Sequence, residues 1–221
     1  MLVLSMRVLK GPFINYCYLV MDSYSKDAVL IDPAWQMDKI ENAIDVNHAK
    51  LIGVLLTHHH RDHVNLADAF AQRYDVPVFM SDLEINHYGF QCSNLKPITP
   101  SSDLQLGTIT VRPIPTPGHT KGAICYWIDG ALFTGDTLFI EGCGICTGPG
   151  ASSEEMYASL DTLKSTLPPE CIIYPGHSYG YMPGQPFSFL LRNNIYLSFQ
   201  TLEDFVAFRM RKGQTSLLNF K

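Results

Sequence analysis

Residues 57–63 read THHHRDH, four histidines and an aspartate within seven positions. They continue LIGVLLT (51–57), an apolar run of the kind expected of a strand buried on both faces. The cluster therefore begins where a buried strand ends. On an extended strand end, the alternation of His58 and His60 points both imidazoles the same way. Asp62 and His63 follow, where the chain can turn into a helix expected over 64–74. Three more pieces repeat the theme: PTPGHT carries His119, FTGDT carries Asp136 and YPGH carries His177. Each sets a potential ligand at or just beyond the end of an expected strand, where α/β proteins assemble their sites. Five histidines and two carboxylates are enough donors for two metal ions that share one carboxylate. Imidazole and carboxylate suit Zn, Fe or Mn. Two such ions about 3.5–4 Å apart can hold a hydroxide, polarise a carbonyl and stabilise a leaving group. His48, His59 and His87 fall outside the pattern and read as ordinary structural histidines.

Outward from this stretch the chain alternates strand and helix patterns. FINYCYLVM (13–21) and DAVLIDP (27–33) read as strands, and 36–49 has helical spacing with Ile40, Ala43 and Ile44 on one face. VPVFMS (76–81) is a short strand, NLKPITPSSD (94–103) a polar loop, and TITVRPIP, AICYWID and ALFTGDT are further strands. Asp129-Gly130 marks a tight hairpin between the last two. Ser152 or Ser153 can cap a helix through about Thr166, with Glu154 and Glu155 at the favourable end of its dipole. CIIYPGH (171–177) is a final strand. The tail has an apolar helical segment around 187–197 and a more charged end from 203. No linker divides the pattern, so the expectation is one α/β domain over 1–221 with a short helical tail from about 185.

The chain of 221 residues is 46% hydrophobic, 17% charged and carries a net charge of −5, which reads as globular and speaks against a nucleic-acid partner. MLVLSMRVLKGPF does not read as an export signal, because Arg7 and Lys10 interrupt it and Gly11-Pro12 breaks it. No window approaches the ~20 apolar residues a membrane span requires. The expected location is cytoplasmic, and the six irregularly spaced cysteines imply no disulfide framework. Cys143 and Cys146 have CxxC spacing without a thioredoxin-like context, and read as part of a loop beside the site. Trp35, Tyr157, Tyr179, Tyr181 and Phe187 are candidates for an acyl pocket, or else plain core aromatics.

With these motifs in place, from NYCYLV to YPGH, the sequence resembles the metallo-β-lactamase superfamily. The resemblance implies an αββα sandwich, two mixed sheets flanked by helices with the site at one edge between them. It also implies a ligand set: His58, His60 and His119 for one ion, Asp62, His63 and His177 for a second, and Asp136 bridging. Asp62 would in addition orient the metal-bound hydroxide that attacks the substrate.

Within that superfamily THHHRDH, TPGHTKGAICY, GDTLFIEGCG and PGHSYG look most like the glyoxalase II group of thioester hydrolases. Two departures separate it from that group. A basic residue that holds a glutathione carboxylate usually follows GCG, and here the position is Ile145. Two-domain glyoxalase II enzymes also have a longer helical segment after the residue matching His177. Tyr179 matches a tyrosine near the thiol-bearing part of the substrate. GCGICTGPGASSEEMYASL and the tail are similar to zinc-dependent hydrolases encoded with bacterial polyketide synthases. That resemblance implies an acyl-phosphopantetheine or acyl-carrier-protein thioester as substrate, with an acyl carrier protein as partner. The alternatives are a compact glyoxalase II acting on S-lactoylglutathione, a persulfide dioxygenase with one iron on His58, His119 and Asp136, and a non-catalytic carrier-protein binding subunit.

Overall fold

The computed structural model describes residues 1–99 and 102–213. Two six-stranded mixed sheets lie face to face, with helices on both outer surfaces, as the αββα expectation requires. The first sheet runs in chain order: β1 (Leu2–Lys10), β2 (Phe13–Met21), β3 (Asp27–Ile31), β4 (Lys50–Leu55), β5 (Val78–Ser81) and β6 (Leu95–Ile98). β1 to β3 are antiparallel neighbours, whereas β3 to β6 are parallel. Parallel neighbours need crossovers, and these are α1 (Met37–Val46), α2 (Arg61–Val64) with α3 (Ala67–Tyr74), and α4 (Asp82–Tyr88). The second sheet contains β7 (Leu104–Leu106), β8 (Ile109–Pro115), β9 (Ile124–Ile128), β10 (Ala131–Gly135), β11 (Ile172–Pro175) and β12 (Gln185–Pro186). There only β10 and β11 are parallel, joined through α5 (Ser153–Thr166). The chain then adds α6 (Phe187–Asn193), a 3-10 turn and α7 (Leu202–Arg209).

Strand alternation explains the layers. On β2, Tyr16, Tyr18 and Val20 face the other sheet, while Cys17, Leu19 and Met21 face the α1/α3 side. Val29, Ile31 and Leu55 join the inter-sheet core, where Ile124, Tyr126 and Phe133 meet them from the second sheet. Beneath the second sheet, Leu132 and Ile173 pack with Met156, Leu160 and Leu163 of α5, Phe187 of α6 and Phe205 of α7. Asp129 and Gly130 both have positive φ, the two-residue turn that matches strand twist, so the expected hairpin forms.

Some segments differ from the sequence reading. MLVLSMRVLK carries the edge strand β1, and the stretch expected as a loop over 94–103 contains the strand β6. Pro97 weakens the strand signal but is tolerated because β6 is an edge. The expected helical tail becomes α6, the 3-10 turn and α7, and its residues 214–221 lie outside the described residues. Among the described residues no helix is long and apolar enough to cross a membrane.

Candidate metal centre

All the histidine and aspartate candidates meet at one edge of the sandwich, beyond the C-terminal ends of strands from both sheets. Cross-sheet hydrogen bonds hold that edge together. Tyr16 N donates to Gly176 O at 2.8 Å and Ile124 N to Thr57 O at 3.0 Å. The Tyr126 hydroxyl donates to Leu56 O at 2.8 Å and the Tyr18 hydroxyl to Pro175 O at 2.5 Å. Close approach also explains two glycines. A Cβ on Gly135, whose φ is +47, would lie 2.2 Å from Thr57 Oγ1, and one on Gly176 would lie 2.8 Å from Asp136 Oδ1.

A first cluster forms around His60. His58 Nε2 lies 3.0 Å from His60 Nδ1, and His119 Nε2 lies 2.9 Å from the same atom. The far nitrogens of two of these rings are committed. The Thr57 hydroxyl donates to Asp32 Oδ2 at 2.6 Å, so its oxygen accepts from His58 Nδ1–H at 3.0 Å. His119 Nδ1–H donates to Ile145 O at 2.8 Å. With protons on those outer nitrogens, the inner lone pairs of His58 and His119 converge on His60. Lone pairs facing one another at about 3 Å repel unless a proton or a metal cation lies among them.

A second cluster brings Asp62, His63 and His177 ligand atoms within 4.8 Å of one another. His177 Nδ1 donates to Ile14 O at 2.7 Å and His63 Nδ1 to Asp32 Oδ2 at 2.9 Å, again turning Nε2 inward. Asp136 stands between the clusters. Its Oδ2 is 3.4 Å from His119 Nε2, while its Oδ1 is 3.3 Å from His63 Nε2 and 3.5 Å from His177 Nε2. His63 Nε2 and Asp136 Oδ1 are buried without hydrogen-bond partners. Two buried orphan atoms of this kind, beside converging imidazole nitrogens, fit a pair of divalent cations. Asp32 also lies near His58 and His63. Its oxygens are already used by Thr57 and His63 Nδ1, so it acts behind the ligand atoms.

The charge states agree. Burial, then the neighbouring imidazoles, push His58 well below the ordinary histidine value. Burial and His119 bring His60 down to about 4, and burial lowers His119. The first cluster is therefore neutral imidazole, the form that binds metal. Burial works against a proton on His63, but the carboxylates of Asp136 and Asp62 raise it well above the ordinary value. Burial likewise opposes charge on Asp62 and Asp136, yet the facing histidines keep both well below the usual carboxylate range. A positive charge is thus favoured between these carboxylates, and a metal ion would displace a proton to supply it.

Two grooves lie near the clusters, one reaching Asp62 and one reaching Phe139, whose ring is 6.0 Å from that of His177. One, of about 490 Å³, is lined by Lys10, Gly11, Pro12, Phe13, Trp35, Arg61 and Asp62. The other, of about 240 Å³, is lined by Phe139, Glu141, Tyr179, Tyr196, Arg209 and Arg211, among others. Of the five aromatic candidates, Trp35 and Tyr179 border a groove, Phe187 is fully buried, Tyr157 packs on Phe205, and Tyr181 is exposed against Phe189. Ile145 contributes its backbone carbonyl to His119. Cys143 and Cys146 are buried in the core under the second sheet. Burial pushes the Cys146 thiol up to about 12 and Cys143 higher still, so neither is a reactive thiolate.

Three supporting residues are not singled out by the sequence. Asp32 appeared only as the end of a strand, yet it holds both Thr57 and His63. Asn15, buried in the otherwise apolar β2, donates to Asp62 Oδ2 at 3.0 Å and accepts from Trp35 Nε1 at 2.9 Å. That polar residue in an apolar strand was the available signal. Trp35, an aromatic candidate in the sequence, is in addition the partner of Asn15. Glu84 is fully buried on α4, a helix without a clear apolar period in the sequence. It accepts from His59 N, His59 Nδ1, Thr120 Oγ1 and Gly122 N, tying the His58 loop to the His119 loop. His59 stacks on Tyr88 at 3.7 Å, the structural role expected of it.

Comparison with known proteins places these features in context. Residues 11–177 match the family model described as the metallo-beta-lactamase superfamily. The chain is 45% identical to a probable polyketide biosynthesis zinc-dependent hydrolase, BaeB, of Bacillus velezensis. It is 42% identical to the corresponding protein PksB of Bacillus subtilis; both alignments cover 94% of this chain and 92% of the relative. A cytoplasmic hydroxyacylglutathione hydrolase of Arabidopsis thaliana is 35% identical over 75% of this chain and 64% of its own. Among solved structures, ETHE1 from Myxococcus xanthus superposes with a TM-score of 0.81 at 25% identity, covering 98% of this chain and 95% of that one. TTHA1623, solved in a di-iron-bound form, superposes with a TM-score of 0.70 at 27% identity, covering 87% and 100%.

Proposed function

This chain belongs to the metallo-beta-lactamase superfamily, and from that premise we propose that it is a zinc-dependent hydrolase of polyketide biosynthesis that cleaves acyl thioesters of phosphopantetheine, free or on an acyl carrier protein. The observation that carries the hydrolase reading is the pair of inward-facing donor clusters with Asp136 between them. In this reading His58, His60 and His119 hold one ion, Asp62, His63 and His177 hold the other, and Asp136 serves both. Such ions would supply Lewis acidity and bring the pKa of a coordinated water toward neutrality. The chain's own part is positional. Asp32, Ile145 O and Ile14 O fix the rings of His63, His119 and His177. Asn15 holds one oxygen of Asp62, which in this reading orients the attacking water. A thiolate is a good leaving group, so no separate acid is required.

The thiol carrier rests on the similarity to the two Bacillus hydrolases. One observation favours a second reading, a compact glyoxalase II. Arg211 lines the groove beside Tyr179, with Arg209 buried behind it against Tyr196 and Cys143 O, which gives that groove positive charge although Ile145 supplies none. A paired assay on zinc-loaded protein separates the two, with S-lactoylglutathione against an acyl-pantetheine thioester, free and on a carrier protein. Preference for the pantetheine thioester is expected. Preference for the glutathione thioester would replace this reading with the second. Hydrolysis of neither, with iron in the purified protein and oxygen uptake on a persulfide, would replace both.

A further inference from the structure

The 490 Å³ groove lies within the size range of small-molecule sites and has an unusual wall. Phe13, at the start of β2 beyond the Gly11-Pro12 turn, is 40% exposed, and its ring lies 6.2 Å from that of Trp35. Trp35 has φ +64, a left-handed conformation that costs a bulky residue strain and persists only where the surroundings enforce it. They do so at both ends of the residue. Its backbone N–H donates to Asn65 Oδ1 at 3.0 Å and its indole N–H to Asn15 Oδ1 at 2.9 Å. The indole edge is thereby satisfied, Lys10 Nζ lies 5.1 Å from the ring centroid, and Pro12 and Phe13 continue the wall beside the ring. The groove ends at Asp62, whose carboxylate belongs to the second cluster.

We propose that this groove is the subsite for an aliphatic acyl chain of the substrate, walled by Pro12, Phe13 and Trp35. The assignment rests on the thioester reading above and adds which side of the site takes which half of the substrate. A pantetheine arm carries amides and a phosphate, which suit the second groove with Tyr179, Glu141 and Arg211; Lys10 and Arg61 also line the first groove, but Gly11, Pro12, Phe13 and Trp35 make most of its wall. An alkyl chain offers no hydrogen bonds and gains by leaving water, which suits the Phe13–Trp35 side.

The test exploits the chain's two tryptophans, Trp35 and Trp127. Trp127 lies on β9 of the other sheet, so Trp127→Phe leaves Trp35 as the sole reporter. In that zinc-loaded variant, the non-hydrolysable thioethers S-octyl-pantetheine and S-methyl-pantetheine are titrated with fluorescence and calorimetry. The octyl compound should bind at least tenfold tighter and shift Trp35 emission to the blue. Adding Phe13→Thr, a surface change, should cut the octyl advantage to about threefold or less. In parallel, kcat/KM of the parent protein should rise by about twofold or more per methylene from acetyl to hexanoyl thioesters. Equal binding of the two thioethers, binding of neither, or tight octyl binding without a Trp35 response would each overturn the assignment. So would a dimer that Phe13→Thr dissociates and octyl does not, which would give the groove to a second copy. Absence of hydrolysis would remove the thioester reading alone, because the fluorescence result judges the groove independently.

Discussion

At the scale of single residues, the site depends on carboxylates that no metal would touch directly. Asp32 holds His63 Nδ1 at 2.9 Å and both donors of Thr57. Replacing it with Asn keeps the size but places an amide where an acceptor is needed. Asp32→Asn should weaken zinc binding by about 10–100-fold, measured by competition with a chromophoric chelator, as is typical when a ligand's outer partner is lost. Glu84 allows a pH prediction. Burial works against its charge, but hydrogen bonds from His59, then Gly122, hold it below the ordinary glutamate value. A depressed folded-state value contributes stability above the unfolded value, near pH 4.5, and that contribution is lost as pH falls through the folded value. Glu84→Gln should therefore be less stable at neutral pH by about 2–3 kcal/mol, and its urea-unfolding free energy should fall less steeply below about pH 4.5. An unchanged acid slope would remove Glu84 from the account.

At the scale of elements, helix α5 and the His119 loop form one unit. Ser152 Oγ caps the helix by accepting from Glu155 N at 3.1 Å, and Ser152 N donates to Gly118 O at 2.9 Å. Gly118, with φ +142, leaves no space for a side chain, since a Cβ would sit 2.5 Å from the Met156 backbone. Gly118→Ala should cost about 2–4 kcal/mol and displace His119, so thermal stability and zinc stoichiometry should fall together. Ser152→Ala, which removes only the cap, should cost about 1 kcal/mol and leave stoichiometry intact. The contrast separates helix stability from ligand placement.

At the scale of the whole molecule, the candidate ligands come from both sheets. His58, His60, Asp62 and His63 follow β4, whereas His119, Asp136 and His177 follow β8, β10 and β11. Metal bound by the two sets would join the halves of the sandwich and stabilise only the folded chain. At a thousandfold excess over Kd this linkage amounts to ~4 kcal/mol. With a shift of about 2–4 °C per kcal/mol for a chain of this size, chelation should lower Tm by about 10 °C. Re-addition of zinc should restore it, and no shift on chelation would argue against ions bridging the sheets.

The sequence by itself determined the class of fold, the main strands and helices, and the histidines and aspartates that the fold brings together at one edge. Apolar runs, hairpin chemistry and helix caps are local properties, and the ligand motifs each fall at a strand end. It also exposed His58, His60 and His63 as a group, because they are neighbours in the chain. What only the tertiary structure decided are the contacts between distant segments. Asp32 reads as a strand terminator until it meets His63, and Asn15 reads as a misplaced polar residue until Trp35 and Asp62 flank it. Glu84 joins two loops that are far apart in sequence, and Arg209 and Arg211 reach the groove beside Tyr179 from α7 and the residues after it. Edge strands β1 and β6 were likewise hidden, since an edge can tolerate the polar residues and proline that a central strand cannot. Periodicity reports which face of an element is buried, whereas the partner a buried polar group finds is set by packing of the two sheets.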